Sequence, residues 1–264
     1  MKKMSHPLRP LTAIALAALA VLAAGTRAQS TPATRSAPLR IALAGDSTVT
    51  DDAGWGAGFA AHLASDARCS NLSRGGRSSK SFIAEGRWKE CLALKPDYVL
   101  IQFGHNDQPG HPGDRETDPQ TTYRQYMTQY IEDARAAGIR PVLVTSLSRR
   151  QWGPDGKIHS TLQPYVDVVK AIAAEKHVPL IDLHARSIEL YEKLGREGCQ
   201  EISPLKNATT QPAAGKDDET VADQKAAAKV FDGTHLNKKG GELVGAIVAE
   251  ELKKAVPELA SYLH

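Results

Sequence analysis

The chain has little cysteine: three in 264 residues, Cys69, Cys91 and Cys199. None lies in a CxxC pair, so no zinc-type spacing is present. None has a histidine placed beside it as a base, so nothing points to a thiol nucleophile. An oxidising compartment would allow one pair and leave one thiol over. Spacing does not choose that pair, and buried or incidental thiols are the simpler reading. No internal repeat is visible. The longest apolar run, "LTAIALAALAVLAAG" (11–25), falls short of the ~20 residues a membrane span needs.

A basic excess is also missing once the first residues are set aside. Lys2, Lys3 and Arg9 precede the apolar run, and small residues at Thr26 and Ala28 follow it. That order reads as a secretory signal over 1–28. No twin arginine is present, so the general export route is expected. The signal holds four of the 33 basic residues and no acid, leaving 29 against 30 acidic ones, or −1. The formal charge of +3 therefore lends no support to nucleic-acid binding. Residues 29–38, "QSTPATRSAP", read as a linker. One domain is expected over 39–264, since α/β domains often run to ~200–250 residues.

What the sequence does hold is alternation. Short apolar runs at 39–45, 69–73, 97–104, 140–147 and 178–184 read as strands. Helical patterns lie at 121–138, 163–177 and 240–255, the first with Tyr123, Tyr126, Met127, Tyr130, Ile131 and Ala134 on one face. Strand and helix in alternation predict parallel strands with helical crossovers. Strands apolar throughout predict a sheet covered on both faces. The expected architecture is a three-layer α/β/α sandwich with a mainly parallel sheet of about five strands.

In such sheets ligands bind beyond the carboxyl ends of the strands. Polar clusters follow each early strand: Gly45-Asp46-Ser47, then "RGGRSSKS" (74–81), then "GHND" (104–107). A fourth, "FDGTHLNKKGG" (231–241), precedes the last helix. A serine hydroxyl is a poor nucleophile at neutral pH and needs a base, which needs an orienting acid. Asp232 and His235 supply both. An oxyanion needs donors. The Ser47 N–H, a glycine N–H at Gly76 (with Gly75 as its competitor) and the Asn106 amide are candidates. Asp46 is expected to bond local backbone, and His105 and Asp107 to orient the loop around Asn106.

These four blocks together resemble the SGNH (GDSL-like) hydrolases, over nearly the whole mature chain. "AGDSTV", "GWGAGF", "GGRSSKSF", "FGHND" and "DGTHLNKKG" are similar to the rhamnogalacturonan acetylesterase branch. The resemblance implies a flavodoxin-like SGNH fold with Ser47 as nucleophile, His235 as base and Asp232 as its partner. It implies an oxyanion hole of Ser47, Gly76 and Asn106, and no metal or organic cofactor. It implies a serine esterase that removes O-acetyl groups from pectic, acidic polysaccharide or oligosaccharide; with the signal and charge read above, the expectation is an exported, periplasmic or extracellular protein with no nucleic-acid partner and no membrane contact after signal cleavage. A monomer is expected. Other SGNH activities (xylan or sialate deacetylase, small lipase or thioesterase) are the alternatives, and a non-catalytic carbohydrate-binding protein is a third. Residues 198–230 depart from the compact pattern and read as a polar insert.

At the same rim, Arg74, Arg77, Lys80 and Arg87 crowd the second block, and Arg149-Arg150 follow the fourth strand. Arg77 and Arg149 are expected to hold substrate carboxylates. Trp55, and beside it Trp152, are expected as sugar-stacking platforms, with core packing as the rival reading. His105, Asp107, His111 and Asp114 have metal-ligand chemistry, but their irregular spacing argues against a metal.

Overall fold

The structure is a computed structural model that describes residues 37–111, 113–205 and 231–264, together with Met1. All but the first residue of the signal, all but the last two residues of the linker, and 206–230 of the expected insert lie outside the described residues.

Five parallel strands form one sheet in the order β2-β1-β3-β4-β5. They are β1 (Leu39–Gly45), β2 (Ala67–Asn71), β3 (Tyr98–Gln102), β4 (Arg140–Val144) and β5 (Leu180–Ile181). Side chains alternate across a strand, and here both faces are apolar. Ile41 and Leu43 of β1 enter one core with Tyr98, Leu100, Val142 and Val144. Ala42 and Ala44 enter the other with Val99, Ile101 and Leu143. The first core is closed by α1 (Gly56–Ala60), α6 (Leu183–Glu201) and α7 (Lys238–Ala255). The second is closed by α2 (Ser79–Ala84), α3 (Arg87–Ala93), α4 (Arg124–Ala136) and α5 (Gln163–Lys176). This is the expected three-layer sandwich. Each fully buried Leu, Ile or Val in it contributes ~1.5–3 kcal/mol of transfer free energy.

Local chemistry sets the ends of the elements. Ser78 and Ser81 form a reciprocal capping box at the start of α2. Asp118 caps the next segment through the N–H groups of Gln120 and Thr121. One π-helical turn (Pro119–Tyr123) then leads into α4. The strands are shorter than the apolar runs. After Val144 the chain stays buried but leaves the ladder, with Ser146 Oγ donating to the Phe103 carbonyl at 2.6 Å. β5 is cut to two residues because Asp182 caps α6. The first residues of the expected insert are not a loop: 198–201 are the last turn of α6. That helix is interrupted at Gly195, whose φ of 69° is left-handed.

The sheet order reverses between β1 and β3, and a crevice opens there at the carboxyl ends of the strands. The loops after β1 and β2 line it, and Asn106 of the loop after β3 bonds to the Arg77 carbonyl beside it. The segment before α7 reaches it because α1 and α7 cross at backbone contact. A Cβ on Gly58 would stand 2.0 Å from the Gly241 carbonyl oxygen, and one on Gly245 would stand 2.3 Å from the Gly58 carbonyl carbon. Only hydrogen fits at these positions. The Leu236 N–H then donates to the Ala53 carbonyl at 2.9 Å, tying the two ends of the site together.

Candidate active site

Ser47 lies two residues past Gly45, the end of β1, in a tight turn. The Asp46 carboxylate fixes that turn, accepting from the Thr48 N–H at 2.8 Å and the Thr48 hydroxyl at 2.7 Å. Ser47 Oγ lies 2.9 Å from His235 Nε2, although 188 residues separate them. His235 Nδ1 lies 2.8 Å from Asp232 Oδ2. The other oxygen of Asp232 accepts from the N–H groups of Thr234 at 2.6 Å and His235 at 3.0 Å. Burial opposes charge on Asp232. The hydrogen bonds from the imidazole and the two N–H groups outweigh it and hold the carboxyl below its ordinary range. An ionised Asp232 fixes a proton on Nδ1 and leaves Nε2 free to accept from Ser47.

Of the expected oxyanion donors, Ser47 lines the cleft together with Gly75, the neighbour of Gly76. Among the described residues, no hydrogen bond uses the N–H of Ser47 or of Gly76. Asn106 gives one amide hydrogen to the Arg77 carbonyl at 3.1 Å, which leaves the second free. The two glycines have separate reasons. A Cβ on Gly75 would come to 3.6 Å from the Ser47 Cβ, whereas Gly76 holds a φ of +77° that side chains disfavour. Asp107 fastens the Asn106 loop to the sheet's next helix, accepting from the Ser79 N–H at 3.1 Å and the Thr117 hydroxyl at 2.9 Å. His105 Nδ1 stands 3.4 Å from Asp46 Oδ2, both buried. Burial opposes charge on Asp46, but His105 and Thr48 together hold it below its ordinary range.

A cleft of ≈480 Å³ opens on Ser47, lined by Thr50, Asp51, Asn71, Arg74 and Arg77 among others. Not every expected contact faces it. Trp55 is a correction: it is wholly buried, and its Nε1–H donates to Gln102 Oε1 at 3.0 Å. Gln102 donates in turn to the Thr48 hydroxyl at 2.7 Å. Trp55 thus supports the Ser47 turn from the core and has no face for a sugar. Trp152 is half-buried, with the Arg196 guanidinium 5.3 Å from its ring centre. Arg149 is half-buried and directed to Gln108, Thr161 and the His105 carbonyl. Arg150 points inward rather than to the rim and is 7% exposed. Arg77 lines the cleft but is paired with Glu85 at 2.9 Å. Arg87 pairs with the same carboxylate and Lys80 with Asp114. That leaves Arg74 as an exposed cation of the cleft with no partner among the described residues.

Sequence reasoning missed the Thr48–Gln102–Trp55 chain and the inward turn of Arg150. A polar Gln102 ending a buried strand was the one available signal for the first. No group of three or more His, Cys, Asp or Glu among the described residues is arranged to hold a metal ion. His105 and Asp107 are turned to Asp46, Ser79 and Thr117 instead. Cys69 is half-buried, and Cys91 and Cys199 are buried; all three are free thiols. Burial pushes the Cys91 thiol up to about 12.

Comparison with known proteins gives the same direction. Residues 42–243 match the GDSL-like Lipase/Acylhydrolase family. The rhamnogalacturonan acetylesterase RhgT of Bacillus subtilis is 36% identical over 235 residues, 86% of this chain and 94% of that protein. The probable rhamnogalacturonan acetylesterase YesY of the same organism is 33% identical over 81% of this chain and 92% of its own length. Among solved structures, the Bacillus subtilis protein YXIM superposes with a TM-score of 0.62 at 22% identity, over 82% of this chain and 56% of that one. The chain belongs to the GDSL-like lipase/acylhydrolase (SGNH) family, in the branch that holds the rhamnogalacturonan acetylesterases, and is a carboxylic ester hydrolase.

Proposed function

We propose that the protein is an exported serine esterase that removes O-acetyl groups from pectic, rhamnogalacturonan-type polysaccharide through an acetyl-enzyme intermediate. The observation that carries this is the unbroken line from Ser47 Oγ to His235 at 2.9 Å and on to Asp232 at 2.8 Å, with Ser47 lining an open cleft.

His235 Nε2 takes the Ser47 proton as Oγ bonds to the acetyl carbon. The charge that develops on the carbonyl oxygen is met by the Ser47 and Gly76 N–H groups and the free Asn106 amide hydrogen. These donors are neutral, which suits a charge that exists only transiently. The C–O bond to the sugar breaks, and the sugar oxygen leaves with the proton held by His235. Water then gives a proton to His235 and attacks the acetyl-enzyme. Acetate departs as Ser47 recovers its proton.

The cleft supports a short acyl group on a polar alcohol. Among the described residues its lining is mostly hydroxyl, amide and charged groups. The pectic assignment rests on the named relatives and on the exposed cation Arg74 beside Ser47. Export rests on the order of residues 1–28. The test is acetate release from acetylated rhamnogalacturonan, homogalacturonan and xylan, beside 4-nitrophenyl esters of increasing chain length. Fastest release from rhamnogalacturonan and loss of all turnover in Ser47→Ala are expected. Preference for xylan would overturn the substrate, and an active, folded Ser47→Ala protein would overturn the mechanism.

A further inference from the structure

The Asp232–His235 turn carries the base and its acid, but no regular element contains it. It lies between a segment outside the described residues and the start of α7. Two N–H groups anchor its ends, Asp232 to the Pro204 carbonyl at 2.9 Å and Leu236 to the Ala53 carbonyl at 2.9 Å. Its carbonyls converge on one residue from another loop. Arg150 Nη2 donates to the Asp232 carbonyl at 3.0 Å and also to the His235 carbonyl. The Arg150 backbone N–H donates to the Gly233 carbonyl at 2.7 Å.

We infer that Arg150 is a positioning residue for hydrolysis, a buried clamp whose guanidinium sets the orientation of Asp232 and His235 toward Ser47. The inference rests on the catalytic reading of those three residues.

The chemistry of the clamp is unusual for a charge so deeply placed. A buried cation is normally met by a carboxylate. Among the described residues, the oxygen partners of this guanidinium are the two carbonyls and the Tyr191 hydroxyl at 3.3 Å. The Tyr191 ring lies below it, 5.2 Å from the guanidinium carbon to the ring centre. Tyr191 belongs to α6 and is wholly buried. The fork is thus held from one side by a packed helix and grips the turn on the other. Asp232 and His235 use their side chains on each other and on Ser47, and their carbonyls on Arg150. Rotation of either residue about its backbone would break a bond on both sides. A planar group that bridges two carbonyls restrains both residues at once, which a flexible ammonium does less well.

Two substitutions separate this role from plain stability. Arg150→Met removes the charge and the fork but keeps the length. Arg150→Lys keeps the charge and loses the planar bridge. The backbone bond to Gly233 survives in both. The readouts are kcat and KM on 4-nitrophenyl acetate, the rate of Ser47 labelling by a fluorophosphonate, and the melting temperature, each per folded molecule. A fall in kcat of tenfold or more in Arg150→Met is expected. KM should stay within about twofold, labelling should slow in parallel, and Arg150→Lys should recover part of the rate. A folded Arg150→Met protein with kcat and labelling within twofold of the parent would overturn the clamp. If that variant does not fold, Arg150→Lys decides: a lowered kcat at an unchanged melting temperature supports the clamp, and an unchanged kcat overturns it. Ser47→Ala, assayed alongside, keeps the two ideas apart. An inactive Ser47→Ala beside a fully active Arg150 variant sinks the clamp alone, whereas an active Ser47→Ala sinks the catalytic reading beneath it.

Discussion

Asp232 holds His235 at two points, one carboxylate oxygen on the ring Nδ1 at 2.8 Å and the other on the same residue's N–H at 3.0 Å. The side chain that selects the tautomer therefore also fixes the backbone from which the ring projects. Asp232→Asn separates these tasks. The amide oxygen can keep the bonds to Thr234 and His235, while the amide nitrogen meets Nδ1 and favours the wrong tautomer. The variant should melt near the parent and lose kcat by on the order of 10³-fold or more. Asp232→Ala should lose comparable rate and, in addition, ~1–3 kcal/mol of stability from the N–H groups left unpaired. An Asp232→Asn protein that keeps a tenth of the parent kcat would show that the carboxylate is not needed to hold the imidazole.

The carboxyls near the site push stability in opposite directions with pH. Asp46 and Asp232 are held below their ordinary values, so they stabilise the fold above about pH 4, and that stabilisation is lost as pH falls through their folded values. Asp107 is the reverse. Its burial, opposed by the bonds from Ser79 and Thr117 and reinforced by the charge on Asp46, raises it to about 7. Between its unfolded value and about 7 the folded chain keeps a proton that the unfolded chain has lost, so stability drops as pH rises through that window. The melting temperature should peak in mild acid and decline on both sides. Asp107→Asn keeps an acceptor for Ser79 and Thr117 and should flatten the decline between pH 5 and 8. Parallel melting profiles for Asp107→Asn and the parent over that range would refute the assignment.

How far the sequence revealed this site follows from the kind of signal each residue leaves. Ser47, Asn106, Asp232 and His235 are polar residues set against apolar runs, the first two past strand ends and the last two before the final helix, and that order could be read. The five strands were legible for the same reason, as short apolar runs between turn residues. Their true ends were not, because Ser146 bonds across to the Phe103 carbonyl and Asp182 caps the start of α6. Helix α6 was missed because its apolar positions are diluted by charge and broken at Gly195. Trp55 and Arg150 carry side chains that suit a substrate as well as a core. Only packing against Gln102 and Tyr191 reveals which role each takes.

The contact between α1 and α7 should matter for rate as well as for stability. Adding a methyl group at Gly245 forces apart two backbones that meet there without side chains. Gly245→Ala should cost ~1–3 kcal/mol by overpacking. It should also lower kcat on 4-nitrophenyl acetate in the molecules that remain folded, because α7 carries the segment that presents His235 to Ser47. Leu243→Ala is the control on the same helix. Leu243 is 38% exposed, and its loss should change neither property by much. Equal effects of the two substitutions on kcat would mean that the crossing does not set the distance between serine and imidazole.

Arg74 and Arg77 line the same cleft but should fail in different ways when removed. Arg77 pairs with Glu85 and also donates to the Gly75 carbonyl at 2.8 Å, beside the Gly76 N–H. Arg77→Ala should therefore slow turnover of 4-nitrophenyl acetate and of polysaccharide alike, since the loop proposed to present the oxyanion donor loses a brace. Arg74 has neither tie, and its charge is free to meet a galacturonate carboxylate. Arg74→Ala should leave the small ester unaffected and raise KM several-fold on acetylated rhamnogalacturonan. Added salt should shrink that difference, because an exposed pair is screened over about 8 Å at physiological ionic strength. Kinetics on both substrates at low and high salt check this. An Arg74→Ala protein with the parent KM on the acidic polysaccharide at low salt would take the cation out of substrate binding.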